Sequence, residues 1–274
     1  MSKLNFIVDA TRCIQCNDCV KDCISGIIQR NGSTPTIPAE SEDGCLECQH
    51  CLAVCPTGAV SIFGLKPLNS FPLPDALPTR IQMKTFARGR RSVRQYKPEN
   101  VDRAIIDDLL ADLAHAPTGV NSRDLTFSVV DDRAVMARLL DRVVSAVEAT
   151  TKAGRPIDEF LLETALAYRR DGTDGFFRGG PHLLVVSHGE NAVCGVEDAV
   201  LALAYFELLA QSAGLGTVWC GMLKMVVDAA SELREALGVS PTAYFYPMVF
   251  GHPAVKYART VQRDRSARIH RIQA

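Results

Sequence analysis

Apolar positions fall into two regimes along this chain. From residue 101 onward they recur at helical or strand spacing over long stretches, whereas before residue 65 they come in short runs between cysteines. Within 101–115, Ile105, Ile106, Leu109, Leu110 and Leu113 share one helical face. Residues 125–130 read as a strand, 134–147 and 162–170 as helices, and 182–187 as a buried strand bounded by Gly and Pro. A short helix over 231–237 and a last strand over 243–250 follow. Residues 196–212 are apolar almost all round, which predicts a helix that is fully buried or set at a subunit interface. Helix and strand signals alternate, and the class they predict is α+β.

The first 64 residues are different. Residues 6–8 and 59–63 read as short strands, with 26–28 and 35–37 as their expected partners. Residues 65–79 hold four prolines, a composition that favours extended, semi-rigid backbone. The expected organisation is a small domain over 1–64, a linker over 65–83 and a second domain over 84–274. The chain has 274 residues and a formal net charge of −1, so charge argues for no nucleic-acid partner. No apolar run approaches the roughly eighteen residues that span a bilayer, so no membrane partner is expected. Met1 is followed at once by Ser2 and Lys3 with no secretory apolar region, and the expected location is the cytoplasm.

Cysteine spacing adds chemistry. Eight of the ten cysteines form two copies of C-x2-C-x2-C-x3-C: Cys13, Cys16, Cys19 and Cys23, then Cys45, Cys48, Cys51 and Cys55. This run is the ligand set of a pair of 4Fe–4S clusters. Three thiolates two residues apart can wrap one loop around one face of a cuboidal cluster. The fourth lies on a segment that has left that loop, and in two-cluster ferredoxins it ligates the other cluster. The expected sets are therefore Cys13, Cys16, Cys19 and Cys55, and Cys45, Cys48, Cys51 and Cys23. Zinc sites show two separated C-x2-C pairs instead, and a disulfide framework belongs to small secreted chains. The first 64 residues resemble a bacterial two-cluster ferredoxin, with one departure: Ile24 stands where Pro usually follows the fourth Cys, as Pro56 does in the second run. A segment this small needs its metal for much of its stability. It carries four basic and seven acidic side chains, a net −3 that suits a basic redox partner but is also an ordinary solvated surface.

Basic residues then cluster twice. Residues 80–97 contain seven and no acid; residues 256–271 contain six against one acid, Asp264. Two such stretches could converge on one phosphate, which an Arg fork matches bidentately, or could be two solvated faces. Four stretches carry a resemblance: Arg90-Arg91-Ser92-Val93-Arg94 leading into Tyr96-Lys97-Pro98, residues 115–122 around Pro117-Thr118-Gly119 and Asn121, residues 214–221 ending Trp219-Cys220-Gly221, and the closing 251–259. In this order they resemble the FMN-dependent nitroreductase family over roughly residues 84–260, and the whole chain resembles ferredoxin–nitroreductase fusions.

The resemblance implies a set of roles. Arg90, Ser92, Arg94, Lys256 and Arg259 would hold the FMN phosphate, and Arg91 would lie along the pyrimidine edge of the flavin. Pro117, Thr118 and Gly119 would pass close to the ring, with Asn121 pairing to its amide edge, all from the partner subunit of a homodimer. Trp219, Cys220 and Gly221 would pass the other side, where a backbone donor could tune N5. Read without the family, residues 115–122 are also an ordinary turn that ends a helix.

Residues 150–181 hold Tyr168, Arg169, Arg170, Phe176, Phe177 and Arg178 among glycines, which fits a lid over the flavin as well as it fits a surface helix and loop. Cys194 and Cys220 read as buried apolar thiols. No histidine shows metal-ligand spacing, and none reads as a catalytic base. No G-x-G-x-x-G follows a strand, so there is no Rossmann domain, although NAD(P)H could still serve as a donor without one. The expected protein is a flavoenzyme with a built-in ferredoxin. It would pass electrons from two 4Fe–4S clusters to FMN and on to a small organic acceptor: a nitroaromatic, a quinone or a related electrophile. A reduced ferredoxin or another redox protein is a second possible donor. The rivals are a reductive dehalogenase or ene-reductase on the same fold, and a non-catalytic electron-transfer module.

Overall fold

The structure, a computed structural model, describes residues 4–32, 34–73, 76–263 and 267–273. Pro74 and Asp75 of the expected linker, and Asp264 and Arg265 of the second basic stretch, lie outside these. Backbone contacts divide the chain into two compact units, residues 1–78 and 79–274. The division falls inside the proline-rich stretch, and a helix begins at Arg80 within the range expected to be linker.

The first unit contains β1 (Ile7–Val8), α1 (Asp18–Asp22), β2 (Gln29–Asn31), β3 (Thr34–Thr36), α2 (His50–Ala53) and β4 (Val60–Ser61). The strand pairing differs from expectation. β1 pairs with β4, and β2 with β3, both antiparallel. The inner strand thus runs over 29–31 rather than 26–28 and forms its own hairpin. The reason is local: Ile27 and Ile28 are buried in the small core with Cys19, Cys51, Leu52, Val60 and Ile62, so the chain turns inward there before it pairs.

The second unit runs α3 (Arg80–Gly89), α4 (Arg103–Asp112), β5 (Leu125–Val130), α5 (Arg133–Lys152), α6 (Glu159–Asp171), β6 (His182–His188), α7 (Gly195–Ser212), β7 (Gly216–Trp219), α8 (Gly221–Ala229), α9 (Leu233–Ala236) and β8 (Phe245–Gly251). Its sheet is antiparallel throughout, in the order β5-β6-β8-β7. Both faces are covered. Leu183 and Val185 of β6 join the core that includes α5, α6 and α8, while Leu184 and Val186 join the one that includes α4 and α7. This is why β6 reads as a continuous apolar run rather than an alternating one. Aspartates start three helices: Asp102, Asp132 and Asp158 each accept a backbone N–H from the first turn. Thr79 and Gln82 form a reciprocal capping box at the start of α3.

Three expectations change here. α7 is not buried on every side: Val196, Leu201 and Tyr205 are exposed, while Ala199, Ala202, Leu203 and Phe206 face the core. Phe176 and Phe177 are core residues, at 3% and 1% exposure. Their turn is pinned by Asp174, which accepts from the N–H groups of Phe177 and Gly179. The segment is therefore built into the unit, and α6 packs on α5 through Arg169, which pairs with Glu148 and Asp141. Cys194 is exposed rather than buried; Cys220 is buried. The residues after α3 form a strap. Val93 N–H donates to Thr217 O at 2.9 Å, Lys97 N–H to His252 O at 2.8 Å, and Ala254 N–H to Gln95 O at 2.9 Å. The buried Tyr96 hydroxyl holds the strap from inside, donating to Val93 O at 3.0 Å.

Candidate functional site

In the first unit the cysteines face two cavities. Cys13, Cys16, Cys19 and Cys55 line one, with Val8, Pro35, Thr57 and Val60 among their neighbours. Cys23, Cys45, Cys48 and Cys51 line the other, with Ile24, Ile28, Ile37 and Ile62. Each motif thus places its fourth thiol in the cavity of the other. The loops repeat at the level of backbone. Gln15 and Asn17 in the first copy, and Glu47 and Gln49 in the second, all take left-handed conformations, with φ of 57°, 64°, 54° and 60°. None is glycine, so each costs on the order of 1 kcal/mol or more, and such turns point successive N–H groups into a concavity that favours an anion. Four thiols around each cavity, with a backbone N–H donated to Cys55 in one and to Cys45 in the other, fit a sulfur-ligated cluster. All ten cysteines are free thiols, and among the described residues no three side chains converge as a single metal ion requires.

In the second unit the strap brings the two basic stretches together. A cleft of about 380 Å³ is lined by Arg90, Arg91, Val93, Gln211, Thr217, Lys256 and neighbouring glycines, with no carboxylate among the described residues of its wall. Gly216 makes the close approach possible: a Cβ there would lie 2.6 Å from Val93 Cγ2. Beneath the cleft, Arg90 Nη1 donates to Glu207 Oε1 at 3.0 Å, and Thr217 Oγ1 donates to the same oxygen at 3.5 Å. Arg91 Nε donates to the carbonyl of Arg90 at 2.8 Å. Ser92 pairs with Thr217 on the strap. Arg94 and Arg259 are exposed and do not line the cleft. The chemistry of the cleft is that of an anion site.

The loop at Pro117, Thr118, Gly119 and Asn121 does not line this cleft. Its form is fixed by the buried Asp198, whose Oδ1 accepts from Gly119 N–H at 2.9 Å. Val120 and Asn121 take φ of 49° and 55°. Among the described residues, Asp198 Oδ2 and Ser122 Oγ are buried without a hydrogen-bond partner. Trp219 stacks edge-on against Tyr246, 5.4 Å between centroids, and ends β7. Cys220 and Gly221 follow at the start of α8; burial pushes the Cys220 thiol up to about 12. Neither residue lines the cleft.

Sequence reasoning missed Glu207, Thr217 and Gln211. A signal existed for the first. Glu207 is the one charged residue between 199 and 213, and a lone carboxylate in an apolar helix demands a cation.

A sequence model described as the nitroreductase family matches residues 87–252, and one described as a 4Fe–4S dicluster domain matches residues 12–60. An iodotyrosine deiodinase from Thermotoga neapolitana is 30% identical over 170 residues, 58% of this chain and 86% of that protein. An FMN reductase (NAD(P)H) from Bacillus subtilis is 24% identical over 192 residues, 66% of this chain and 69% of that one. Among solved structures, a nitroreductase with bound FMN from Bacteroides fragilis covers 71% of this chain and 100% of its own, at 19% identity and a TM-score of 0.57, a likeness of fold. With the family match spanning more than half its length, the chain belongs to the nitroreductase family and carries a 4Fe–4S dicluster domain ahead of it.

Proposed function

We propose that this chain is an FMN-dependent oxidoreductase that passes electrons from two 4Fe–4S clusters to FMN and on to an organic acceptor. When bound, the clusters supply one-electron carriers and FMN a carrier that exchanges one or two electrons with a small molecule. The observation that carries the reading is the cationic cleft. Arg90, Arg91 and Lys256, from two stretches far apart in sequence, line one cleft with no carboxylate among its described lining residues, as suits a phosphate. Arg94 and Arg259 lie on the same two stretches and complete the proposed phosphate set with Ser92. Cys13, Cys16, Cys19 and Cys55 would hold one cluster, and Cys45, Cys48, Cys51 and Cys23 the other.

The Pro117–Asn121 loop is proposed to act across a homodimer. It does not line the cleft of its own chain, and α7 exposes Val196, Leu201 and Tyr205, at 46%, 42% and 41%. Trp219, Cys220 and Gly221 are proposed to border the flavin, with Gly221 and its neighbours offering backbone donors at the start of α8. NAD(P)H, named for the Bacillus relative, is one proposed donor, and a reduced ferredoxin the other. Ten cysteines with no disulfide among them suit a reducing compartment such as the cytoplasm. The acceptor proposed first is a nitroaromatic or quinone; the second is a halogenated aromatic, because the Thermotoga relative is named a deiodinase.

Among the described residues no helix is long and apolar enough to cross a membrane. The test is anaerobic turnover of a nitroaromatic, a quinone and a halophenol by the full chain and by its Cys16→Ser/Cys48→Ser form, each with reduced ferredoxin and with NADPH. The doubly substituted chain should keep FMN and lose turnover with the protein donor. Equal rates for both chains with both donors would take the clusters off the path.

A further inference from the structure

The two cysteine loops are close copies in backbone and unequal in what surrounds them. Residue n of the first matches residue n + 32 of the second, from Cys13 and Cys45 to Gly26 and Gly58. The closing turns agree: Gly26 N–H donates to Cys23 O at 2.9 Å, and Gly58 N–H to Cys55 O at 3.1 Å. Both glycines have positive φ, 64° and 61°. Two exchanges break the repeat near the sulfurs.

The first is at the fourth thiol. Cys55 Sγ accepts from Ala59 N–H at 3.2 Å and has the Thr57 hydroxyl at 3.8 Å. At the matching places stand Ser25 and Ile27, and among the described residues Cys23 Sγ accepts no hydrogen bond. The second exchange is charge. Gln15 of the first loop accepts from Arg30 Nη2 at 3.1 Å, which brings a cation to that loop; the second loop has the carboxylate of Glu47 at the matching place. The walls keep the repeat in polarity: Asn17 and Thr57 line the first cavity, and their counterparts Gln49 and Ser25 line the second. The second loop has one compensating donor, Glu47 N–H to Cys45 Sγ at 3.4 Å. One exchange opposes the rest: Asp18 matches His50, and His50 is turned to Asp22 at 3.1 Å.

Reduction adds one negative charge to a cluster. Hydrogen bonds to its sulfurs and nearby cations stabilise the reduced form. We propose that the site of Cys13, Cys16, Cys19 and Cys55 has the higher reduction potential of the two, with the Thr57 hydroxyl one of the groups that raise it. The proposal rests on reading both thiol sets as cluster ligands. One electron leaving the Cys23, Cys45, Cys48 and Cys51 site oxidises it by one unit and reduces the other by one, with no proton moved. An electron supplied to the unit by a low-potential donor therefore comes to rest on the first site.

The test is an anaerobic potentiometric titration of the full chain followed by EPR, after iron and sulfide analysis. Two midpoints are expected. Thr57→Val should lower the higher midpoint and leave the lower in place, Thr57→Ser should restore it, and Ser25→Ala should move neither. Coincident midpoints, a Thr57→Val chain with both midpoints unchanged, or a shift confined to the lower one would overturn the inference while leaving the cluster reading intact. A chain whose analysis shows fewer than two clusters would overturn that reading and the inference with it.

Discussion

Arg90 and Glu207, 117 residues apart in sequence, meet at 3.0 Å beneath the cationic cleft. Glu207 is 9% exposed at its side chain and Arg90 29%, so the pair is partly shielded from water. Glu207→Gln keeps the shape and removes the charge, and should destabilise the second unit by roughly 1.5–3 kcal/mol. Arg90→Ala leaves the carboxylate buried alone and should cost about 3 kcal/mol, the lower end for a broken buried pair because Arg90 is part exposed. Urea unfolding of the two single variants and the double variant measures the coupling. Strict additivity would show that the two side chains do not interact.

The crossed thiol sets make a spectroscopic prediction. Cys13→Ser and Cys55→Ser should perturb the same EPR signal, and Cys45→Ser and Cys23→Ser the other. Pairing of the Cys13 and Cys23 effects would refute the crossed arrangement.

His182 gives the second unit a pH dependence. Val101 N–H donates to its Nε2 at 2.9 Å, so that nitrogen must be unprotonated, and burial lowers the pKa below the ordinary histidine value of about 6.5. The unfolded chain takes up a proton near pH 6.5 while the folded chain resists. Stability is therefore unaffected above that pH and falls as pH drops below it, by up to about 1.4 kcal/mol per unit until the folded pKa is reached. His182→Gln should flatten this part of the profile. The measurement is the urea midpoint from about pH 7.5 to about pH 5.5, the range where histidine titrates.

Gly216→Ala drives a methyl group into Val93, whose Cβ and both Cγ atoms would lie within 2.9 Å. The strap must move away from β7, at a cost of about 1–3 kcal/mol. Because Arg90 and Arg91 ride on that strap, FMN affinity should fall as well. Isothermal titration of the apoprotein with FMN and thermal unfolding together check this; lost stability with unchanged affinity would separate the strap from the cofactor.

The parts legible in sequence are those where one physical signal dominates. The thiol spacing, the two-sided apolar run of β6 and the one-sided periodicity of α4 each leave a clear pattern. β7 left little, because it is four residues long and starts at a glycine. α3 left little because it buries none of its residues; the Thr79–Gln82 cap marks its start. The left-handed turns at Gln15, Asn17, Glu47 and Gln49 are invisible because no glycine marks them. The convergence of the basic stretches depends on long-range backbone bonds, which composition does not encode. The burial of Phe176 and Phe177 was not legible because aromatic residues near glycines are as much at home in a core as on a lid or surface loop; Asp174 holds their turn in place.

The strap has a consequence for the solubility of the chain. β7 is an outer strand of its sheet, and a bare outer strand is a template on which a second chain can add by backbone pairing. Val93 N–H and Ser92 occupy part of that free edge at Thr217. The segment that presents arginines to the cleft is thus also a guard on the sheet margin. Any change that peels it away exposes unpaired amides to other copies of the chain, and variants of the strap should precipitate more readily as protein concentration rises.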